Sequence, residues 1–316
     1  MFTHSQKSEL ITAIKGRGEI PLKFVYIGNT GVTRWDKIAK NRSEDNRGIN
    51  SVEGNLLSAK VNDFLNSFKN LEKLNIIDIG PGNGYPVMPL LHPLKKLGIN
   101  FRYIPVDISE EMLRLASNNV KNTFSEIEIK PINLDFELGN FAEETYKLRE
   151  GGFQNLMLFL GSTLGNQSDR SRVLTNFRDS MTSDDFLIIG VELVNLHKTD
   201  KILKQYQGKS VADFVFSVAE FLGIKREDGE FKVSFNNESH QIEIYFYFVK
   251  DVKVNFENDE IFFEKDDKLL LARSHKFTEW VFAKVLSDAG FRMELMTTSS
   301  EKGYSLVMCQ PQRFNY

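Results

Sequence analysis

From about residue 58 the chain alternates short apolar, β-rich runs with amphipathic stretches, and that alternation admits few folds. Parallel strands cannot be joined by tight turns, so each needs a crossover that a helix fills. The strand runs are "LNIIDI" (74–79), "FRYIPV" (101–106), "IEIKPI" (127–132), "NLMLFL" (155–160) and "DFLIIGVEL" (185–193). Pro131 marks the third as a strand end or sheet edge, because proline has no N–H for a ladder. Between them lie "PVMPLLHPLKKLG", "SEEMLRLASNNVKN", "FAEETYKLRE" and "DRSRVLTNFRDSM", with Ser109 predicted as an N-cap ahead of two acids. After the fifth run the pattern changes to "VSFNNESHQIEIYFYFVKDVKVNF", which reads as antiparallel hairpins. The acidic run Glu257 to Asp267 that follows reads as solvated turns and strand faces. The alternation then resumes with "KFTEWVFAKVLSDAGF", a helix closing at Gly290, and the hairpin "RMELMTT"/"YSLVMCQ". The expected architecture is α/β: a doubly wound, Rossmann-like domain (57–195 and 278–316) interrupted by an α+β lobe (1–56 and 196–277).

Composition narrows the classes. At 316 residues and 41% apolar content the chain can bury a core in each part, and a net charge of -3 gives no general basic field for nucleic acid. The start, "MFTHSQKSELITAIKGRGEI", lacks the apolar core of a signal peptide, and no run approaches the roughly 20 residues that span a bilayer. A cytoplasmic protein without a membrane partner is expected. Cys309 is the single cysteine and lies in the apolar run "YSLVMC", so it is expected to be packed. The five histidines are scattered, and no metal is expected.

The stretch "IDIGPGNGYP" ends the first strand run on Gly80, Gly82 and Gly84, with Asp78 just ahead. In a doubly wound sheet, ligands sit beyond the carboxyl ends of the strands, where glycines let them approach the main chain. The spacing G-x-G-x-G differs from the dinucleotide fingerprint G-x-G-x-x-G, and no Gly-Lys-Ser or Gly-Lys-Thr follows to make a triphosphate loop. Asp107, in "PVDIS", stands 23 residues beyond Gly84 at the next strand end, where a carboxylate can accept from both ribose hydroxyls. Asp135, in "NLDFE", follows the third run. Three acids at three successive strand ends point to a nucleoside ligand, with an NAD-binding domain as the competing reading.

The D-x-G-x-G-x-G form resembles the first motif of the class I methyltransferases, which bind S-adenosylmethionine. That resemblance implies that the glycines admit the methionine part, Asp78 holds its ammonium, Asp107 the ribose and Asp135 the adenine. The segment "FLGSTLGN", Phe159 to Asn166, is no hydrolase elbow, since Leu160 stands where G-x-S-x-G needs glycine. Together with "DIGPGNGYPVMPLL", "YIPVDIS", "SHKF" and the N-terminal "IPLKFVY", it resembles the histidine Nα-methyltransferases of ergothioneine biosynthesis and their relatives acting on tryptophan-like amines. The resemblance covers most of the chain. It implies that Asn166 holds the substrate's α-amino and carboxylate groups, that Tyr206 in "LKQYQG" donates to the carboxylate, and that Tyr26 lines the same end.

Departures from the family bear on the substrate. The histidine enzymes carry a glutamate two residues before a serine to recognise imidazole; "LLLARSHKF" keeps Ser274 and has Ala272 in the glutamate's place. An alanine methyl cannot pair an imidazole N–H, and an unpaired buried polar group costs about 1–3 kcal/mol. Histidine is therefore disfavoured and a bulkier aromatic side chain favoured, with "IEIYFYF" offering either Tyr245 and Tyr247 or Phe246 as a stacking surface. A second tyrosine of the family has no equivalent in "NRSEDNRGINSVEGN". The expected activity is S-adenosylmethionine-dependent methylation of the α-amino group of a free amino acid or related amine. The alternatives are a methyltransferase acting on oxygen or an unrelated amine, and a non-catalytic binding protein on the cofactor fold. No side chain is assigned as general base.

Overall fold

The computed structural model describes residues 2–44, 49–69, 71–196, 199–301 and 303–312. It forms two compact units, Met1–Ile38 with Asn195–Lys276 and Ala39–Val194 with Phe277–Tyr316. In chain order the strands of the second unit are β1 (Lys73–Ile79), β2 (Asn100–Asp107), β3 (Glu128–Ile129), β4 (Ile132–Asn133), β5 (Gln154–Phe159) and β6 (Phe186–Glu192). The first unit contributes β7 (Gly229–Asn236), β8 (Gln241–Phe248), β9 (Val252–Phe256), β10 (Asp259–Phe263) and β11 (Lys268–His275). The chain then returns with β12 (Phe291–Thr298) and β13 (Tyr304–Pro311).

The second unit is one sheet in the order β12-β13-β6-β5-β1-β2-β3, with β4 also on β2. β1, β2, β5 and β6 are parallel, and β13 runs antiparallel to both of its neighbours. From β1 the chain builds outward to β2 and β3 on one side, then returns to lay β5 on the other. The reversal of strand order falls between β1 and β5, and beyond their carboxyl ends lies the crevice where such sheets bind ligands. The apolar runs are continuous because both faces are covered. Leu74 and Ile76 pack with Leu57, Phe64, Leu90 and Leu91, whereas Ile77 and Ile79 pack with Val173, Phe177, Phe282 and Leu286. Buried polar groups at the opposite ends of these strands are paired: Asn75 donates to Asn155 Oδ1 at 2.8 Å and accepts from Arg102 Nε at 3.0 Å.

The third strand run is divided at Pro131 into two two-residue strands at the sheet edge. Ser109 caps the helix Glu110–Thr123, accepting from Met112 N. Cys309 is buried, and its thiol donates to Leu187 O at 3.5 Å. Among the described residues no helix is long and apolar enough to cross a membrane.

The first unit holds an antiparallel sheet, β11-β8-β7, and the hairpin β9–β10. Along β8 burial alternates strictly, and Ile242, Ile244, Phe246 and Phe248 join the core formed with Phe214, Phe216, Ala219 and Leu222. Of the two faces that alternation left open, Phe246 therefore points inward.

Candidate functional site

The bend after β1 is held by its main chain. Gly80 N donates to Val106 O at 2.9 Å, and Gly80, Gly82 and Gly84 all have positive φ. At Gly80 (φ +64) the nearest atom to an added Cβ is Thr163 Cγ2 at 3.8 Å, so this part of the bend is open above. Gly84 differs: its Cβ would lie 2.9 Å from Ala116 O and 3.1 Å from Ala116 Cα. Absence of a side chain there lets the helix Glu110–Thr123 close on the bend, so bareness at Gly84 serves packing.

The two nearer acids are buried. Asp78 is 2% exposed and accepts from the Tyr103 hydroxyl at 2.8 Å. Asp107 ends β2, and its Oδ1 accepts from Ser109 N at 2.8 Å. Burial pushes both carboxyls up to about 7, with the charges of Asp135 and Asp78 adding to the rise at Asp107. Asp135 is half-buried beyond β4, and its Oδ1 accepts from Glu137 N at 3.0 Å. The three acids thus face a common region. Carboxyls that burial holds near neutrality gain most from a ligand bringing a cation or a set of hydroxyl donors. An open main-chain bend beside them fits an amino-acid nucleoside.

Asn166 closes the short 3-10 turn Thr163–Asn166 after β5. The turn is anchored at several points: Ser162, in a left-handed conformation (φ 57), accepts from Glu192 N at 3.0 Å, and Thr163 Oγ1 donates to Leu160 O at 2.7 Å. Glu53 supplies another anchor. It is fully buried, accepts from Gly161 N at 2.9 Å and from the Tyr304 hydroxyl, and fits because a Cβ at Gly190 would collide with both groups. Burial pushes Glu53 up to about 7 against the pull of these two donors. The half-buried Asn166 amide itself makes no hydrogen bond among the described residues. Sequence reasoning missed Glu53; "SVEG" carries no local signal, and residues 45–48 just before it lie outside the described residues.

In the first unit Tyr26, Tyr206 and Ala272 all pack on the rim of one apolar cluster, and Trp35 joins them edge-on to Tyr26 at 5.5 Å. Ala272 pairs with Ile244 just after a bulge in β11, and Ser274 pairs with Ile242, so both occupy the inward face of the sheet. Ser274 Oγ lies 3.2 Å from the Tyr206 hydroxyl, and the buried Lys276 contacts both. Tyr245 and Tyr247 are separated from this group. They lie on the opposite face, edge-to-face at 6.0 Å, with Lys268 and Lys232 over their rings. The odd-numbered positions of β8 cannot share a face with Phe246, so these two tyrosines do not line a pocket with Ala272 and Ser274.

A family described as histidine-specific, SAM-dependent methyltransferases matches residues 7–311. The chain belongs to that family. Among characterised relatives, histidine N-alpha-methyltransferase of Mycolicibacterium smegmatis is 25% identical over 245 residues, 74% of each chain. That of Mycobacterium tuberculosis is 29% identical over 121 residues, 38% of this chain and 36% of its own. Among solved structures, magnesium protoporphyrin IX methyltransferase from Synechocystis PCC 6803, with bound SAH, superposes with a TM-score of 0.50 at 14% identity, covering 91% of this chain and 97% of that one. That likeness is one of fold. The enzyme is an S-adenosylmethionine-dependent methyltransferase on a Rossmann-like α/β sheet. Among the described residues no three His, Cys, Asp or Glu side chains are grouped to hold a metal ion.

The acids give this methyltransferase a pH dependence of definite sign. Folding raises Asp78 and Asp107 from 3.8 to about 7. Their contribution to the stability of the free enzyme is therefore full below the ordinary carboxylate range and is lost as pH rises through about 7. A cationic, hydroxyl-rich ligand prefers the ionised forms. Affinity for S-adenosylhomocysteine is expected to rise about tenfold per ionising group between roughly pH 6 and pH 8, measured by calorimetric titration. A flat profile would mean that neither acid meets the ligand.

Proposed function

We propose that this enzyme transfers methyl groups to the α-amino group of a free aromatic amino acid in the cytoplasm, in preference to histidine. Asp78, Gly80 and Gly82 would hold the methionine part of S-adenosylmethionine, Asp107 its ribose and Asp135 its adenine; Gly84 shapes the bend. Bound there, the cofactor supplies a methyl group on a positively charged sulfur. The chain's own residues contribute placement: Asn166 offers an amide to the α-amino and carboxylate groups, and Tyr206 offers a hydroxyl to the carboxylate. Tyr26 and Trp35 supply aromatic walls. Holding an amine in line with its target removes much of the entropic barrier.

The observation that carries the choice of substrate is Ala272. It shares the inward face of β11 with Ser274 and packs on the same cluster as Tyr26 and Tyr206. A methyl at that position gives a side-chain wall that is apolar beside a hydroxyl end, which suits an indole or phenyl ring and leaves an imidazole N–H unpaired.

The test is methyl transfer to phenylalanine, tyrosine, tryptophan and histidine, with phenethylamine, tyramine, tryptamine and histamine as decarboxylated counterparts. An aromatic amino acid is expected to give the highest kcat/KM. No turnover of any amino acid, with S-adenosylhomocysteine still binding, would overturn the reading. Ala272→Glu would place a carboxylate on the Ser274 face and is expected to shift kcat/KM toward histidine by about 10- to 100-fold. An unchanged ratio would show that residue 272 does not meet the side chain.

A further inference from the structure

Lys276, in "SHKF", directly follows β11 and is 1% exposed. Its ammonium lies 3.0 Å from the Tyr206 hydroxyl and 3.1 Å from Ser274 Oγ, and the two hydroxyls are 3.2 Å apart. An ammonium has protons and no lone pair, so at this triangle both hydroxyl oxygens must accept from it.

The proton count then closes. Tyr206 and Ser274 own one hydroxyl proton each, and one of the two is spent between them. If Tyr206 donates, both lone pairs of Ser274 are filled and the serine proton points elsewhere. If Ser274 donates, the tyrosine proton does. In either rotamer the pair retains one free O–H and one free lone pair, where without the lysine's two bonds it would keep three lone pairs, and neither hydroxyl has a further partner among the described residues. Lys276 has another interaction of its own, so the argument rests on its two donated bonds and not on its charge.

We propose that Lys276 is a positioning residue for the substrate's carboxylate: by donating to Tyr206 and Ser274 together, it fills two of the three lone pairs the hydroxyl pair would otherwise offer and biases the pair toward donating to the ligand. This rests on the reading above that this cluster binds the amino acid. A carboxylate oxygen is the matching group, since a charged acceptor makes the stronger bond with a fixed O–H. A ligand offering only N–H donors at that point finds a single lone pair between the two oxygens, where three would be open without the lysine. The device favours amino acids over their decarboxylated amines.

Lys276→Met keeps the length of the side chain and removes its donors. KM for the preferred aromatic amino acid is expected to rise about 10- to 100-fold, with kcat changed far less and S-adenosylhomocysteine affinity unchanged. The preference over the decarboxylated amine should shrink by a similar factor. The readout specific to this role is a mutant cycle: in a Tyr206→Phe, Ser274→Ala background, Lys276→Met should alter KM by less than about twofold, because the groups it acts through are gone. An equal KM penalty in both backgrounds, or an unchanged KM in the single variant, would overturn the proposal while leaving the methylation reading intact. Wild-type enzyme that turns over no amino acid would overturn both. Should Lys276→Met fail to bind S-adenosylhomocysteine, Tyr206→Phe and Ser274→Ala retain the lysine and decide the matter. Each must raise KM and narrow the preference over the amine, and if neither does the proposal falls.

Discussion

Asp107→Ala is expected to weaken S-adenosylmethionine binding by a hundredfold or more while leaving the sheet folded. Asp107 sits at the carboxyl end of β2, next to the strand-order reversal, and is 8% exposed. One of its oxygens already accepts from Ser109 N at 2.8 Å, leaving the other for a ligand. A hydrogen bond to a charged group contributes about 1.5–3 kcal/mol, so a carboxylate serving both ribose hydroxyls supplies roughly 3 kcal/mol or more. The loss of the Ser109 contact adds a stability cost of its own, which Asp107→Asn separates. An asparagine oxygen still accepts from Ser109 N, but its NH2 can only donate where the second oxygen accepted. Calorimetry with S-adenosylhomocysteine should therefore show a large loss in both variants, and thermal melting a shift mainly in the alanine one. Wild-type affinity in either would place the ribose elsewhere.

How much of this was legible depends on how far each signal travels along the chain. β1, β2, β5 and β6 declare themselves as apolar runs because strands covered on both faces need apolar residues at every position. The edge break at Pro131 and the cap at Ser109 were equally local, each following from the covalent chemistry of one residue. The turn ending at Asn166 was legible only through a resemblance. Nothing local identifies Glu53, whose partners Gly161 and Tyr304 are 108 and 251 positions away. Tyr103 and Lys276 are similar cases: the fold brings them to Asp78 and Tyr206, partners 25 and 70 positions away. For β8, period-two alternation showed that Tyr245 and Tyr247 oppose Phe246, but which face turned inward was decided by the pairing with β11 and the helices beneath. The role of Gly84 divided the same way, since its bareness was visible and the approach of Ala116 was not.

Asn166→Ala tests the opposite property, loss of substrate without loss of cofactor. The turn that carries Asn166 does not depend on its amide: Ser162 accepts from Glu192 N, Thr163 bonds Leu160 O, and Gln167 Nε2 donates to Thr163 O at 3.1 Å. With Glu53 holding Gly161 N behind them, removal of the amide leaves the main chain anchored as before. What disappears is a group able to donate to a carboxylate and accept from an amine at once. Two such bonds to charged partners correspond to about 3–4 kcal/mol, or a fall of roughly 100- to 1000-fold in kcat/KM for the amino acid. S-adenosylhomocysteine should bind within about twofold of wild type, since the acids and the glycine bend proposed to hold it are untouched. Asn166→Asp sharpens the assignment: a carboxylate there still accepts from the amine but repels the substrate's own carboxylate, so decarboxylated amines should lose less than amino acids. If Asn166→Ala instead lost the cofactor and kept the substrate, the turn would belong to the nucleoside and not to the amine.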